Sequence, residues 1–174
     1  MALKSIGLEP IFIVKVGSTY FAKQELSSEE TATFDNLTSD PIVEGLRGSV
    51  VYAGILSIGS CTLSNSERGF GSVGSISVSF LDYSGYFKNL IETNDLYDLE
   101  VYVLLYFRQR WAVTSLHDQC MLRITGKFQA PIEWSEDSRT LSTQIVSNVI
   151  FKEFGFTPEF ENIDHIRENM VGQN

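Results

Sequence analysis

Hydrophobic positions in this chain recur mostly every second residue or in short unbroken runs, and the three-to-four spacing of an amphipathic helix is scarce. The cleanest alternation is Ser-Ile-Ser-Val-Ser-Phe at 75–80. It sets Ile76, Val78 and Phe80 on one face of a strand and Ser75, Ser77 and Ser79 on the other. Residues 11–16 are β-branched and aromatic, break at Gly17-Ser18 and resume with Tyr20-Phe21-Ala22, which predicts a hairpin. A further strand is signalled at 49–52 and continues past Gly54, read as a bulge, through 55–58. Residues 99–107 are almost continuously apolar, the pattern of a strand buried on both faces. The remaining strands are expected at 110–114, 121–128 and 140–149, with a turn through Ser135-Glu136-Asp137-Ser138 between the last two.

Between these strands, 25–40 is rich in Ser, Thr, Glu and Asp and reads as a long exposed loop or arm with Phe34 and Leu37 as its anchors. Residues 63–74, with Asn65, Gly69, Gly71 and Gly74, read as a second loop. Phe87, Leu90 and Ile91 have the spacing of one short helix after a turn at 82–85, and 163–170 predicts another after Asn162. Closely spaced strands without strand-helix-strand units predict a mainly β fold, an antiparallel barrel or sandwich with one or two short helices. The expected organisation is a single β-rich domain over 1–160 followed by a polar C-terminal tail over 161–174.

Length and composition agree with one domain: 174 residues, 43% hydrophobic and 20% charged, are enough for a core without disulfides or structural metals. Charge narrows the partners. Lys and Arg number 13 against 22 Asp and Glu, a formal net charge of -9 that opposes binding to phosphate backbones, so no nucleic-acid binding is expected. The chain has no run near the roughly 20 apolar residues of a membrane span and opens without a signal-peptide pattern, so no stable membrane insertion and folding in the cytoplasm of the producing cell are expected. Cys61 and Cys120 form no CxxC pair and are read as reduced thiols.

Chemistry is thinly represented. His117-Asp118-Gln119-Cys120 is the tightest group of metal-ligating types, but consecutive residues seldom converge on one ion and a hairpin loop accounts for them; His165 lies in the polar tail. Neither histidine neighbours a GxSxG elbow, Gly71-Ser72-Val73-Gly74-Ser75 has the wrong spacing for one, and no phosphate-binding glycine motif is present. Asp82, Asp95, Asp98, Glu133, Glu136 and Asp137 are the carboxylates from which a glycosidase-like pair would be drawn, yet most fall at turns, where aspartate bonds nearby amides. Trp134 and Tyr83 would suit a sugar platform, or equally a core or interface anchor. No catalytic, cofactor-binding or metal-binding residue is assigned, and the chain is read as a non-enzyme without cofactors.

One order of segments is more specific. Ser57-Ile58-Gly59-Ser60 is followed by the loop Gly69-Phe70-Gly71-Ser72-Val73-Gly74 and a strand ending Ser79-Phe80-Leu81-Asp82. Then come Phe87-Lys88-Asn89-Leu90-Ile91, Asn94-Asp95-Leu96-Tyr97 and Leu99-Glu100-Val101-Tyr102-Val103. Later, Leu122-Arg123-Ile124-Thr125-Gly126-Lys127-Phe128 leads through Pro131-Ile132-Glu133-Trp134 into Arg139-Thr140-Leu141-Ser142. This order resembles the opening domain of tail hub and tail-tip proteins of long-tailed bacteriophages. The resemblance implies a tail-tube-like β-barrel that packs beside its copies in a ring, a virion tail location, and homo-oligomeric and other phage tail proteins as partners. Larger hub proteins carry a second barrel, for which this chain is too short. The alternative is a carbohydrate- or ligand-binding β-sandwich module. On the first reading the 25–40 arm orders against a neighbouring subunit, and deleting 29–36 is expected to weaken assembly more than folding.

Overall fold

A computed structural model of the chain describes residues 8–60, 64–65, 71–72, 75–93, 96–109 and 117–147. In chain order the elements are β1 (Leu8–Val16), β2 (Thr19–Ala22), β3 (Asp35–Asn36), α1 (Pro41–Glu44), β4 (Val51–Ala53), β5 (Ile55–Ile58), β6 (Ser64–Asn65) and β7 (Gly71–Ser72). They continue with β8 (Ser75–Leu81), α2 (Tyr86–Glu92), β9 (Glu100–Gln109), β10 (Gln119–Ser135) and β11 (Thr140–Ser147). The fold is mainly β. Eight strands run β4-β2-β1-β9-β10-β11-β8-β5 in one sheet, antiparallel except where β4 joins β2, and β3 adds to β10 in parallel as the ninth.

The sheet curls, but it is not closed into a barrel. Its two ends, β4 and β5, are successive stretches of one segment lying end to end, so no ladder forms between them. At the junction, the N–H of Gly54 donates to Ala22 O at 2.9 Å and its carbonyl accepts from Leu81 N–H at 2.8 Å. Gly54 is therefore the break between two strands rather than the expected bulge; the register shift of this segment lies between Ile55 and Ser57. A Cβ on Gly54 would stand 2.8 Å from Cδ1 of Phe21, so the residue must be small for the two ends to meet.

Register explains the burial. Val14 pairs with Val103 and Val16 with Val101, and these four point into a first core with Ile76, Val78, Phe80, Phe87, Phe128, Leu141 and Ile145. The intervening Ile11, Ile13, Leu104 and Tyr106 point the other way, into a second core. The unbroken apolar run of β9 thus has its expected place, with one core on each side. The alternation in β8 is realised as read: Ile76, Val78 and Phe80 are buried, Ser75 and Ser77 are exposed, and Ser79 meets the Ser142 hydroxyl at 3.0 Å across the outer face. Between the two neighbours of β10, Gly126 lies so close to β11 that a Cβ would stand 2.3 Å from Val146 O.

The segment 25–40 departs from its expectation as an exposed arm. Leu26 bridges Val51, Thr31 Oγ1 donates to Ser49 O at 2.6 Å, and the Phe34 ring packs edge-on against Tyr106 with centroids 5.9 Å apart. Leu26, Thr31 and Phe34 are buried, whereas Leu37, the other expected anchor, is exposed. The stretch is a cover for the second core, continued by α1 through Val43 and by Leu46. Deleting 29–36 would strip Phe34 from that core and remove the buried Thr31 with its bond to Ser49 O, so the deletion is expected to cost folding stability as well as any assembly. In the second loop, β6 and β7 form a short antiparallel ladder; the rest of 63–74 lies outside the described residues, as do 110–114, 148–149, His165, the 163–170 helix and the 161–174 tail. No helix of the described residues is long and apolar enough to cross a membrane.

Phe80→Ala should cost about 3–5 kcal/mol, since the ring is fully buried and three aromatic neighbours would line the cavity left behind; a chemical denaturation midpoint checks this. Burial pushes the Cys120 thiol from its ordinary 9.0 up to about 12. Because the folded chain keeps a proton that the unfolded chain loses, this contribution is complete below pH 9.0 and disappears as the pH rises through about 12. Stability measured by urea unfolding should fall across that window, and the fall should be shallower in Cys120→Ala.

Candidate functional site

The β8–α2 loop meets the β10–β11 turn between two hollows of the described surface. Asp82 makes this junction. Its N–H donates to Arg139 O at 2.8 Å, and its buried carboxylate accepts from the Lys88 N–H at 3.0 Å in the first turn of α2. The N-cap residue of α2, Gly85, has a left-handed backbone at φ 77° and no side chain to cap with, so Asp82 supplies the missing acceptor from outside the helix. With Asp82 turned inward, Tyr83 is driven outward and is 74% exposed.

A hollow lies on each side of Tyr83. The larger, of about 530 Å³, has Phe21, Gly54, Leu81 and Tyr86 among its lining residues, together with Tyr52 and Glu25. Its volume falls in the roughly 300–1,000 Å³ range of small-molecule sites. The Tyr86 hydroxyl donates to Val16 O at 2.8 Å, and burial raises its pKa. The smaller hollow, of about 250 Å³, is polar and is lined by Tyr83, Lys88, Trp134, Glu136 and Arg139. Lys88 Nζ lies 2.8 Å from Glu136 Oε1, and Trp134 Nε1 donates to Glu136 Oε2 at 2.9 Å. The Lys88 hydrogen bond, then that of Trp134, holds the Glu136 carboxyl below the usual range, while Glu136 raises Lys88.

The two aromatic residues singled out in the sequence, Tyr83 and Trp134, therefore border one hollow. Of the six carboxylates, Asp82 and Glu136 also reach it, but the first is committed to the Lys88 amide and the second to two side-chain donors. A general acid needs a carboxyl held protonated, and Glu136 is shifted the opposite way. Glu133 is exposed on β10, Asp137 is exposed in the turn, Asp98 precedes β9, and Asp95 lies outside the described residues. Tyr52, Lys88 and Arg139 were not singled out; nothing in the apolar stretch around Tyr52 marks it as the outward residue.

The group at 117–120 is structural. Asp118 accepts from the Gln109 N–H at 2.7 Å and from the Tyr106 hydroxyl at 2.5 Å, while Cys120 is buried in the second core. Burial and the Asp118 carboxylate together push the Tyr106 phenol strongly upward. Gly71 and Ser72 lie in β7 and Ser75 begins β8, whereas Val73 and Gly74 fall outside the described residues. Among the described residues no group of three or more His, Cys, Asp or Glu is placed to hold a metal ion. Comparison with known protein families, curated proteins and solved structures finds no match.

Asp82→Ala should destabilise the fold by about 1–3 kcal/mol, because the Lys88 N–H loses its acceptor in a partly buried place. Asp82→Asn keeps an acceptor oxygen and should retain most of the stability; equal losses in the two variants, measured by denaturant unfolding, would refute the capping role.

Proposed function

We propose that this chain is a structural component of a phage tail tip or baseplate hub, made in the host cytoplasm and carried in the virion tail, where it joins copies of itself and other tail proteins. The observation that carries this reading is an apolar sheet face without a cover among the described residues. Along β1 and β9 the face that holds the first core continues outward through Pro10 and Phe12, paired with Phe107 and Leu105, and Met121 of β10 pairs with Leu105 beside them. Phe12 is 41% exposed, Pro10 is exposed, and the other three are half-buried; none belongs to either core.

A second copy is the occupant that the charge pattern favours. Copies of a chain with net charge -9 repel each other over most of their surface, and these five residues carry no charge. Their strands are fixed from behind by the second core, so the face is pre-shaped and association orders little extra chain. A ring needs a second, different surface on each copy, and Leu56, exposed on β5, supplies apolar area elsewhere on the sheet. The sequence resemblance to tail hub proteins adds the tail to what would otherwise be assembly alone.

Native mass measurement of the purified protein over a range of concentrations should find a closed multimer. Phe12→Asp should shift it to monomer, with a thermal midpoint close to that of the parent because the ring is already part-exposed. A parent protein that stays monomeric, or a Phe12→Asp variant that assembles normally, would remove this reading.

A further inference from the structure

We propose that the groove around Tyr83 binds a saccharide, with a pyranose ring laid on Tyr83 and its hydroxyls met by Glu136, Lys88 and Arg139. This does not depend on the assembly reading, since the two surfaces share no residue. A pyranose has faces of C–H groups and an edge of hydroxyls, so it needs a flat apolar surface bordered by polar groups of fixed direction. Tyr83 is that surface: among the described residues its ring is the most exposed of the large apolar side chains, yet its loop is tied by both the backbone and the side chain of Asp82.

The polar border is pre-arranged. Each Glu136 oxygen already holds one donor, from Lys88 or Trp134, and retains a lone pair for a hydroxyl. The two donors fix the carboxylate, so little side-chain freedom is lost on binding. Arg139 lines the same hollow, and among the described residues no hydrogen bond or ion pair engages its guanidinium. Its backbone is held in place by the Asp82 N–H, at a left-handed φ of 49°.

Other occupants fit less well. A nucleotide or free phosphate would meet Glu136 and Asp82 in a strongly acidic protein. A purely apolar ligand would fill the larger hollow and leave the Lys88–Glu136–Trp134 arrangement without a partner. A saccharide of two or three units uses both hollows, with Tyr83 and Tyr52 as successive aromatic surfaces.

Saturation-transfer NMR with maltotriose, chitotriose and glucuronic acid as separate probes tests this on the full chain. Transfer to the ring C–H protons of at least one probe is expected, at concentrations up to ~10 mM where weak sites fill. Tyr83→Ala should weaken that probe about tenfold or more, the scale of losing an aromatic anchor. Its unfolding midpoint should stay at the parent value, so a lost signal cannot come from a lost fold. Glu136→Gln should weaken the same probe while leaving the Tyr83 surface intact. No transfer from any of the three probes to the parent protein, or an affinity unchanged in Tyr83→Ala, would overturn the assignment.

Discussion

The structure depends on one aromatic cluster. Phe80 on β8 lies 4.6 Å from Phe87 on α2, 5.9 Å from Phe21 on β2 and 6.1 Å from Phe128 on β10, measured between ring centroids. These rings come from near both ends of the strand order, from its middle and from the one helix that plugs the curl. Edge-on and tilted contacts of this kind add to the free energy of burying the rings and restrict how they can pack. The sheet therefore curls until Phe21 and Phe80 meet. The common segment 51–58 then joins the two ends through Gly54, whose missing Cβ leaves room for Phe21.

A second constraint follows from β1 and β9. Because one core occupies one face of this strand pair, the apolar side chains that alternate with it require another cover. The polar stretch 25–46 provides it with few large residues, so its hold relies on placed hydrogen bonds. Ser27 Oγ accepts from the Glu30 N–H at 3.2 Å while the Glu30 carboxylate accepts from the Ser27 N–H at 2.9 Å, a reciprocal cap. Asp40 caps α1 by accepting from the Ile42 N–H at 2.8 Å, and Arg47 lies over the Phe34 ring at 4.4 Å. The cover is closed by bonds of modest net worth that act over a sealed apolar surface, where leaving any of them unmade is expensive.

The strands with strong local patterns were legible in the sequence. The alternation at 75–80, the run at 99–107, the helix through Phe87 and the turn before Arg139 each followed from spacing alone. The cover was not, because Ser27, Glu30, Asp40 and Pro41 are cap-forming residues whose composition also suits an exposed loop. What decides between the two is the second core, which sequence periodicity cannot place. The same holds for the curl: nothing in Phe21 or Gly54 alone shows that distant strands will meet there. At the groove, the types of Tyr83 and Trp134 were legible, but their convergence rests on the Asp82–Arg139 contact between two turns far apart in the chain.

The placement of the two proposed surfaces follows from this economy of strands. The groove has Thr19, at the start of β2 beyond the β1–β2 turn, among its lining residues, and the apolar face lies toward the other end of β1 at Pro10 and Phe12. With a rise of about 3.3 Å per residue, the stretch from Pro10 to Val16 spans roughly 20 Å. Between the two, Val14 and Val16 are locked into the first core and Ile13 into the second, so this strand is clamped from both sides along its middle. A neighbour docked at the Phe12 end would neither block the Tyr83 loop nor bend the strand that leads to it. Rigid burial of the middle of β1 would thus allow the proposed assembly face at Pro10 and Phe12 and the proposed ligand groove to act without coupling one to the other.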